Sequence, residues 1–554
     1  IFRIEPGALH TKWEAYIMNQ TNVSGDDDDS SMTSARLEGF KASLRHNLEQ
    51  QSQQQSYHPQ GNSAASSSFA TPKRAVIKSR YGSASTFTNT INVDHLDESR
   101  LRSNGNIGIS AIMPPSKPSS SSIQFAQRKN ISENEETLNG HLELRTAPPN
   151  SSKGYRNTIG LLAGVKPYRY MFEKITEKSE ALDDRIEAFA DIYRKSHPDI
   201  DLYNPAYPTQ AIVTVVGRIC SDANEGKSNE RSLVLETSRS LGGGSRVRLD
   251  VSELTGFSFF PGQIVVLSGI NVNGSTFAVT QVHELPTLEM ARVNPDKLVD
   301  YHYKKMGGQP LKMIVAAGPY TLSDNLLFEP FAALMNHVSV ERPDILLLDR
   351  YPKEMQILLV PSLQDIIHET IVLPQPELDA RSLGLRTLAH GIYCLPNPAQ
   401  FTINEMVFAI NTTDILMNLC GDEIARNPAR TDRMGHVSKY LVEQRNMHPV
   451  YPGLTSNIES GVDFNQYDLM DLQKCPDVII LPSKLKNFAK IYDNVVIVNP
   501  SQLTKGHAGG TFARMTIHPI TQNALDEAVM TMDEDEQSIY HQVYNRCRVD
   551  IVRL

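Results

Sequence analysis

The sequence predicts a mixed α/β protein, with a small β-barrel and a larger α/β domain behind a long polar tail. Three observations carry this reading. Residues 22–155 are rich in Ser, Gln, Asn and Gly; residues 211–283 hold short β-branched runs broken by turn residues; from residue 312 continuously apolar runs alternate with helical stretches. The chain of 554 residues has room for more than one core.

Taken in order, residues 1–21 are predicted to form a short helix, with Trp13, Tyr16 and Ile17 giving a sparse apolar face that the run Asp26–Asp29 ends. The polar stretch that follows, to about residue 155, buries too little apolar surface to offset its conformational entropy, so disorder is the expectation. Within it "ATPKRAVIKSR", residues 70–80, sets Thr71 before Pro72 and the basic pair Lys73-Arg74. Proline-directed kinases accept that arrangement, which makes Thr71 a candidate phosphorylation site; the same cations also fit a weak nuclear-localisation patch. Leu182, Ile186, Phe189 and Tyr193 then fall at helical spacing and predict a packed helix over 177–194.

In residues 211–283 the period changes. "AIVTVVGRI", "RSLVLET", "RVRLDVSEL" and "QIVVLSGINVNGSTFAVTQV" read as about five strands without helices between them, and Asn273-Gly274 is a hairpin signal. An OB-fold accommodates them best. Its only aromatic cluster, Phe257, Phe259 and Phe260, lies in one loop before Pro261-Gly262, which favours a barrel that packs against protein over a platform for single strands. Beyond residue 312, "KMIVAAGP", a helix over 325–338, "DILLLD", "QILLVPS", "VFAINTTDILMNL", "DVIILPS" and "NVVIVNPS" predict strands covered on both faces.

Composition excludes several classes. A net charge of −9 argues against a surface that grips nucleic acid all over. The five cysteines are scattered with no Cys-x-x-Cys pair, so neither a zinc ribbon nor a disulfide framework is supported, and a reducing compartment fits. No apolar run approaches the length of about 18 residues that spans a bilayer. The chain opens on Ile1 with no signal-peptide pattern and reads as a piece of a longer protein.

Residues 312–320 "KMIVAAGPY", 359–369 "LVPSLQDIIHE", 396–398 "PNP", 476–483 "PDVIILPS" and 499–514 "NPSQLTKGHAGGTFAR", with "PGQIVVLSGIN" of the barrel, resemble the B-subunit family of DNA polymerase alpha–primase. The resemblance covers about residues 155–554 and favours alpha over the delta and epsilon counterparts. It implies an OB-fold packed on a calcineurin-like phosphoesterase domain that has lost catalysis. It also implies a body that binds the zinc-bearing C-terminal domain of the catalytic subunit, meets primase through the complex, touches DNA only weakly or indirectly, and works in the nucleus away from membranes. On this basis residues 1–21 read as a remnant of the family's N-terminal helical domain, 22–155 as a disordered linker, 156–300 as helix plus OB-fold, and 301–554 as the inactive phosphoesterase-like domain. One departure is physical: only Asp349–Gln356 joins the "DILLL" and "LLVPS" strands, where parallel neighbours need a crossover of about a dozen residues. The sequence reads as lacking a segment there, the other reading being an antiparallel pair.

An active phosphoesterase of this type clamps its substrate between two metals. The residues at the corresponding strand ends are Gly318, Asp349, Asp365, His368 and His507. Gly318 supplies no ligand, Asp349 lacks its following glycine, Asp365 lacks an Asn-His partner, and His507 has no second histidine after it. Asp365 and His368 fit a local polar contact better than a metal site. Lys505 precedes Gly506, Gly509 and Gly510, the wrong order for a phosphate-binding loop, and turns needing positive φ explain the glycines. The expectation is no catalytic residue, no metal and no cofactor: a non-catalytic scaffold and regulatory subunit. The competing reading is an active metallophosphoesterase with an OB module acting on nucleic-acid ends.

Overall fold

The computed structural model describes residues 40, 120–145, 157–165, 169, 172–222, 229–347, 355–365, 372–379, 391–428, 432–452, 461–530 and 537–554. Residues 1–21, Thr71, Asp349 and His368 lie outside them. The chain forms two units, 1–106 and 107–554. In the first only Phe40 is described, a buried helical residue.

The second unit opens with α1 (Ser120–Ala126), β1 (Asn134–Leu138), β2 (Ile159–Leu161) and α2 (Ile175–Ser196). The first two correct the expectation of disorder up to residue 155. Phe125 is buried in the core, and β1 pairs antiparallel with the C-terminal strand Cys547–Arg553, from Asn134↔Val552 to Leu138↔Val549. The strand reads "NEETL", with no apolar alternation, because it lies at a sheet edge and is held by its backbone ladder. A boundary at 156 also misplaces β2, which joins a sheet of the α/β body and not the barrel.

Helix α2 forms where expected. Ile186, Phe189, Ala190 and Tyr193 are buried against Val216, Ile264 and Val266 of the barrel. The barrel elements are β3 (Val213–Ser221), β4 (Leu233–Glu236), β5 (Arg246–Asp250), β6 (Phe257–Phe259), β7 (Ile264–Ile270) and β8 (Thr276–His283). They close in the order β3-β4-β5-β8-β7, with β5 and β8 parallel and the other pairs antiparallel. Inward residues Val215, Ile219, Leu235, Val247, Leu267 and Phe277 fill it. Asn273-Gly274 turns β7 into β8, with Gly274 at φ 77°. Two details differ from expectation: a helical turn, Arg239–Gly242, separates β4 from β5, and the phenylalanine loop is the strand β6. That strand leaves the barrel, and Phe257, Phe259 and Phe260 are all buried.

The α/β body follows in order: β9 (Leu311–Val315), α3 (Glu329–Glu341), β10 (Ile345–Leu347), β11 (Gln356–Leu359), β12 (Ile392–Cys394), β13 (Ala399–Ile403), β14 (Met406–Ile410), α4 (Ile415–Asp422), β15 (Ile424–Arg426), α5 (Arg433–Glu443), β16 (Val478–Ile480), β17 (Phe488–Tyr492), β18 (Val495–Asn499), β19 (Thr511–Ile517) and β20 (Cys547–Arg553). Seven strands form one sheet, β1-β20-β19-β9-β10-β11-β12, and six the other, β2-β13-β14-β16-β18-β17. The sheets face each other across Met313, Val315, Leu358, Phe401, Phe408, Val496 and Met515. On the outer faces α3 covers Ile314 and Leu346, while α4 and α5 cover Ala409, Ile479 and Ile497. These four layers explain the continuously apolar strands: each is covered by a sheet on one side and a helix on the other.

Strands β10 and β11 are parallel neighbours, Leu346 opposite Ile357, which rules out the antiparallel alternative. Eight residues separate them. At roughly 3.3 Å per residue that connection reaches farther than the about 10 Å length of a three-residue strand.

The barrel joins this body without a free linker. Strand β6 pairs antiparallel with β15, Phe259 opposite Ile424 and Phe257 opposite Arg426. Arg426 donates to Leu254 O at 2.8 Å and to Val251 O, tying that pair to the end of β5. Gly262, at φ 96°, sits so close that a Cβ there would lie 2.4 Å from Tyr451 N and 2.5 Å from Pro449 O, so only glycine fits the joint.

Candidate functional site

The segments leaving β9, β11, β14 and β16 converge at the carboxyl ends of both sheets, where open α/β sheets place their ligands. They enclose a cleft of about 380 Å³. Its floor is Ala316, Leu358 and Ile410; its rim carries Gly318, Tyr320, Gln364, Asp365, Asp414 and Lys484.

Two carboxylates stand at this rim, and both are engaged with backbone. Asp365 Oδ2 accepts from Ser362 N at 2.7 Å, and the Asp365 N–H donates back to Ser362 O at 3.1 Å, closing a tight turn after β11. Asp414 is the N-cap of α4. Its Oδ1 accepts from Met417 N at 3.1 Å and from Ser483 Oγ at 2.5 Å, while Oδ2 accepts from Lys484 N at 2.8 Å. An acidic side chain of the protein thus occupies the helix terminus, where unpaired N–H groups would otherwise attract an anion. Thr412 Oγ1 donates to Pro361 O at 2.6 Å and links the two sheets across the cleft. Among the described lining residues Lys484 is the one cation, and it is exposed.

The structure brings Gly318 and Asp365 together in this cleft, and leaves His507 outside its lining. His507 is half exposed in the turn at 506–507, where Nδ1 lies 3.1 Å from Ser323 Oγ and 3.8 Å from Asp324 Oδ1. Its neighbour Gly506 accepts from Ser323 N, so the pair fixes the loop after β9. The glycine reading needs correction: Gly506 alone of the three has positive φ, 65°. Gly509 and Gly510 are required by close approach, since a Cβ would lie 3.0 Å from Leu554 O in one case and 2.0 Å from Gln502 O in the other. Among the described residues no group of three or more His, Cys, Asp or Glu is arranged to hold a metal ion. No described helix is long and apolar enough to cross a membrane.

Sequence reasoning missed Asp414 and Lys484. For Asp414 the signal was present, an aspartate directly before the apolar run "ILMNL", the pattern of a helix N-cap. For Lys484 there was none, because the fold alone brings the segment after β16 to the cleft.

Fold and cleft define a class: an OB barrel fixed to a four-layer α/β body whose strand-end cleft has its rim carboxylates engaged by a local turn and a helix cap. Residues 179–285 match the family model for the OB domain of the DNA polymerase alpha B subunit, and 346–490 the model for the B subunit of DNA polymerases alpha and epsilon. The chain is 30% identical over 487 residues to the DNA polymerase alpha B subunit of Schizosaccharomyces pombe, covering 80% of this chain and 82% of that relative. It is 28% identical over 466 residues to the Saccharomyces cerevisiae protein of the same name, covering 70% and 65%. With the Rattus norvegicus protein it shares 29% over 384 residues, 63% of this chain and 62% of that relative, so it spans less than two thirds of the last two. The chain belongs to the B-subunit family of DNA polymerase alpha.

Proposed function

We propose that this chain is a non-catalytic scaffold and regulatory subunit of DNA polymerase alpha–primase. In this reading the α/β body is an inactivated phosphoesterase-like domain. Together with the barrel it binds the C-terminal domain of the catalytic subunit, and it supports RNA–DNA primer synthesis at the start of replication, in the nucleus. The observation that carries it is the use of both rim carboxylates: Asp365 and Asp414 accept hydrogen bonds from backbone N–H groups of their own turn and helix start. A two-metal clamp needs a full ligand set to lower the pKa of a bridging water and to stabilise the leaving oxygen. The rigid joint of barrel and body also supports a single binding platform. Thr71 is proposed as a regulatory phosphorylation site, adding about −1.5 to −2 charges beside Lys73 and Arg74.

The test is co-purification of the full chain with the catalytic subunit's C-terminal domain, expected as a stable 1:1 complex burying about 2,000 Å² or more. Failure to form it rejects the scaffold. Hydrolysis of phosphodiesters or DNA ends in excess manganese, lost in Asp365→Asn, would establish the enzyme instead.

A further inference from the structure

We propose that the barrel end formed by residues 203–212 and the 271–275 hairpin docks a partner protein through a segment whose aliphatic side chains are flanked by Lys or Arg. Four large apolar side chains are displayed there: Tyr203 is 54% exposed, Tyr207 70%, Ile212 63% and Val272 70%. They belong to one surface. Asn271 Nδ2 donates to Pro205 O at 2.6 Å, Thr209 N donates to Asn271 O at 2.7 Å, and Tyr203 N donates to Thr214 O at 2.9 Å. Gly274 packs against Pro208, with an added Cβ falling 3.3 Å from its Cγ.

The display is also rigid. Asn204 Oδ1 accepts from Ala206 N at 2.9 Å, Tyr207 N donates to Asn204 O at 3.2 Å, and Pro205 and Pro208 fix φ within the turn. Tyrosines held this way lose little entropy on binding, and clustered exposed apolar side chains of this kind mark interaction sites.

Charge selects the occupant. Residues 198–216 and 270–282 contain no Lys or Arg, and their only acids, Asp199 and Asp201, are exposed and form no ion pair among the described residues. Three arginines of the barrel are ion-paired, Arg239 with Asp183 at 2.5 Å, Arg246 with Glu236 at 2.9 Å and Arg248 with Asp222 at 2.8 Å, and Arg231, which is exposed, lies outside residues 203–212 and 271–275. Lys195, in the last turn of α2, is the nearest unpaired cation in sequence. Nucleic acid binds through unpaired cations on its phosphates, which this display lacks. An apolar segment with basic flanks meets both the tyrosines and the two aspartates.

The test uses the full chain and two short fluorescein-labelled peptides sharing a Leu-Val-Ile core, one flanked by Lys and Arg, the other by Asp and Glu. The basic peptide should bind about tenfold more tightly than its acidic twin. Tyr203→Ser/Tyr207→Ser/Val272→Ser, changing exposed side chains only, should keep the wild-type Tm and lose that binding about tenfold. Asp199→Lys/Asp201→Lys should reverse the preference. Equal binding of the two peptides, or binding unaffected by the serine variant, overturns the proposal. So does an oligonucleotide, or a second copy of the chain, whose binding the serine variant abolishes. If that variant loses the catalytic subunit's C-terminal domain, the patch belongs to the interface proposed above and no further partner is needed. Peptide binding without that complex would leave this inference standing and reject the scaffold.

Discussion

Gln444 hydrogen-bonds both main-chain groups of Ile264: its Nε2 donates to Ile264 O at 3.0 Å and its Oε1 accepts from Ile264 N at 2.8 Å. Both residues are 1% exposed, and one belongs to the body, the other to the barrel. The side-chain amide extends strand β7 as a neighbouring backbone would. Arg185 of α2 donates to Gln444 O at 3.0 Å and to Asp471, so helix, barrel and body meet at one amide.

Gln444→Leu is therefore expected to leave an N–H and a C=O of Ile264 buried without partners. At about 1–3 kcal/mol for each unsatisfied group, the cost should be several kcal/mol in chemical denaturation. A cost below about 1 kcal/mol would show that the joint relaxes around the loss.

Arg145, 199 residues from its partner in sequence, forms a buried ion pair with Asp344, whose Oδ2 also accepts from Lys312 N at 3.0 Å. Arg145→Leu should destabilise by about 3–5 kcal/mol, because it removes the guanidinium from a buried carboxylate. A chain beginning at residue 155 should lose this pair, β1 and Phe125 together, and show a lower Tm than one beginning at 107.

Asp414→Ala removes three acceptor contacts at the α4 terminus and should cost about 1–2 kcal/mol. Asp365→Ala, which removes the acceptor for Ser362 N, should cost less, about 0.5–1 kcal/mol. Urea midpoints of the two variants check the order.

Acid should unfold the protein in two windows. Burial pushes His448 from 6.5 down to about 4, so below pH 6.5 the unfolded chain takes the proton first and stability falls until about pH 4. For Glu405, burial acts upward but is outweighed by the His302 hydrogen bond and the Arg546 charge, bringing it from 4.5 to about 2. Its contribution is present above pH 4.5 and lost as pH falls toward 2. Each is on the order of 3 kcal/mol. His448→Gln should flatten the upper window of the urea midpoint against pH and leave the lower one in place.

Much of the fold was legible because local pattern and burial agree. Helix α2 shows its buried stripe in its spacing, Asn273-Gly274 marks its own hairpin, and the continuously apolar strands declare a sheet covered on both sides. The motifs of residues 312–320, 359–369 and 499–514 carried the family. Strand β1 was not legible, since "NEETL" is polar and an edge strand is selected by backbone pairing with a segment more than 400 residues away. Nor was the state of the cleft: Asp365 and Asp414 look like candidate ligands until the turn after β11 and the start of α4 supply the N–H groups that occupy them. Gln444 and Arg145 belong with these. Sequence determines which side chains avoid water, because that depends on the residue itself and its near neighbours. Tertiary structure decides which polar group satisfies which, because every hydrogen bond needs a partner and folding chooses it from anywhere in the chain.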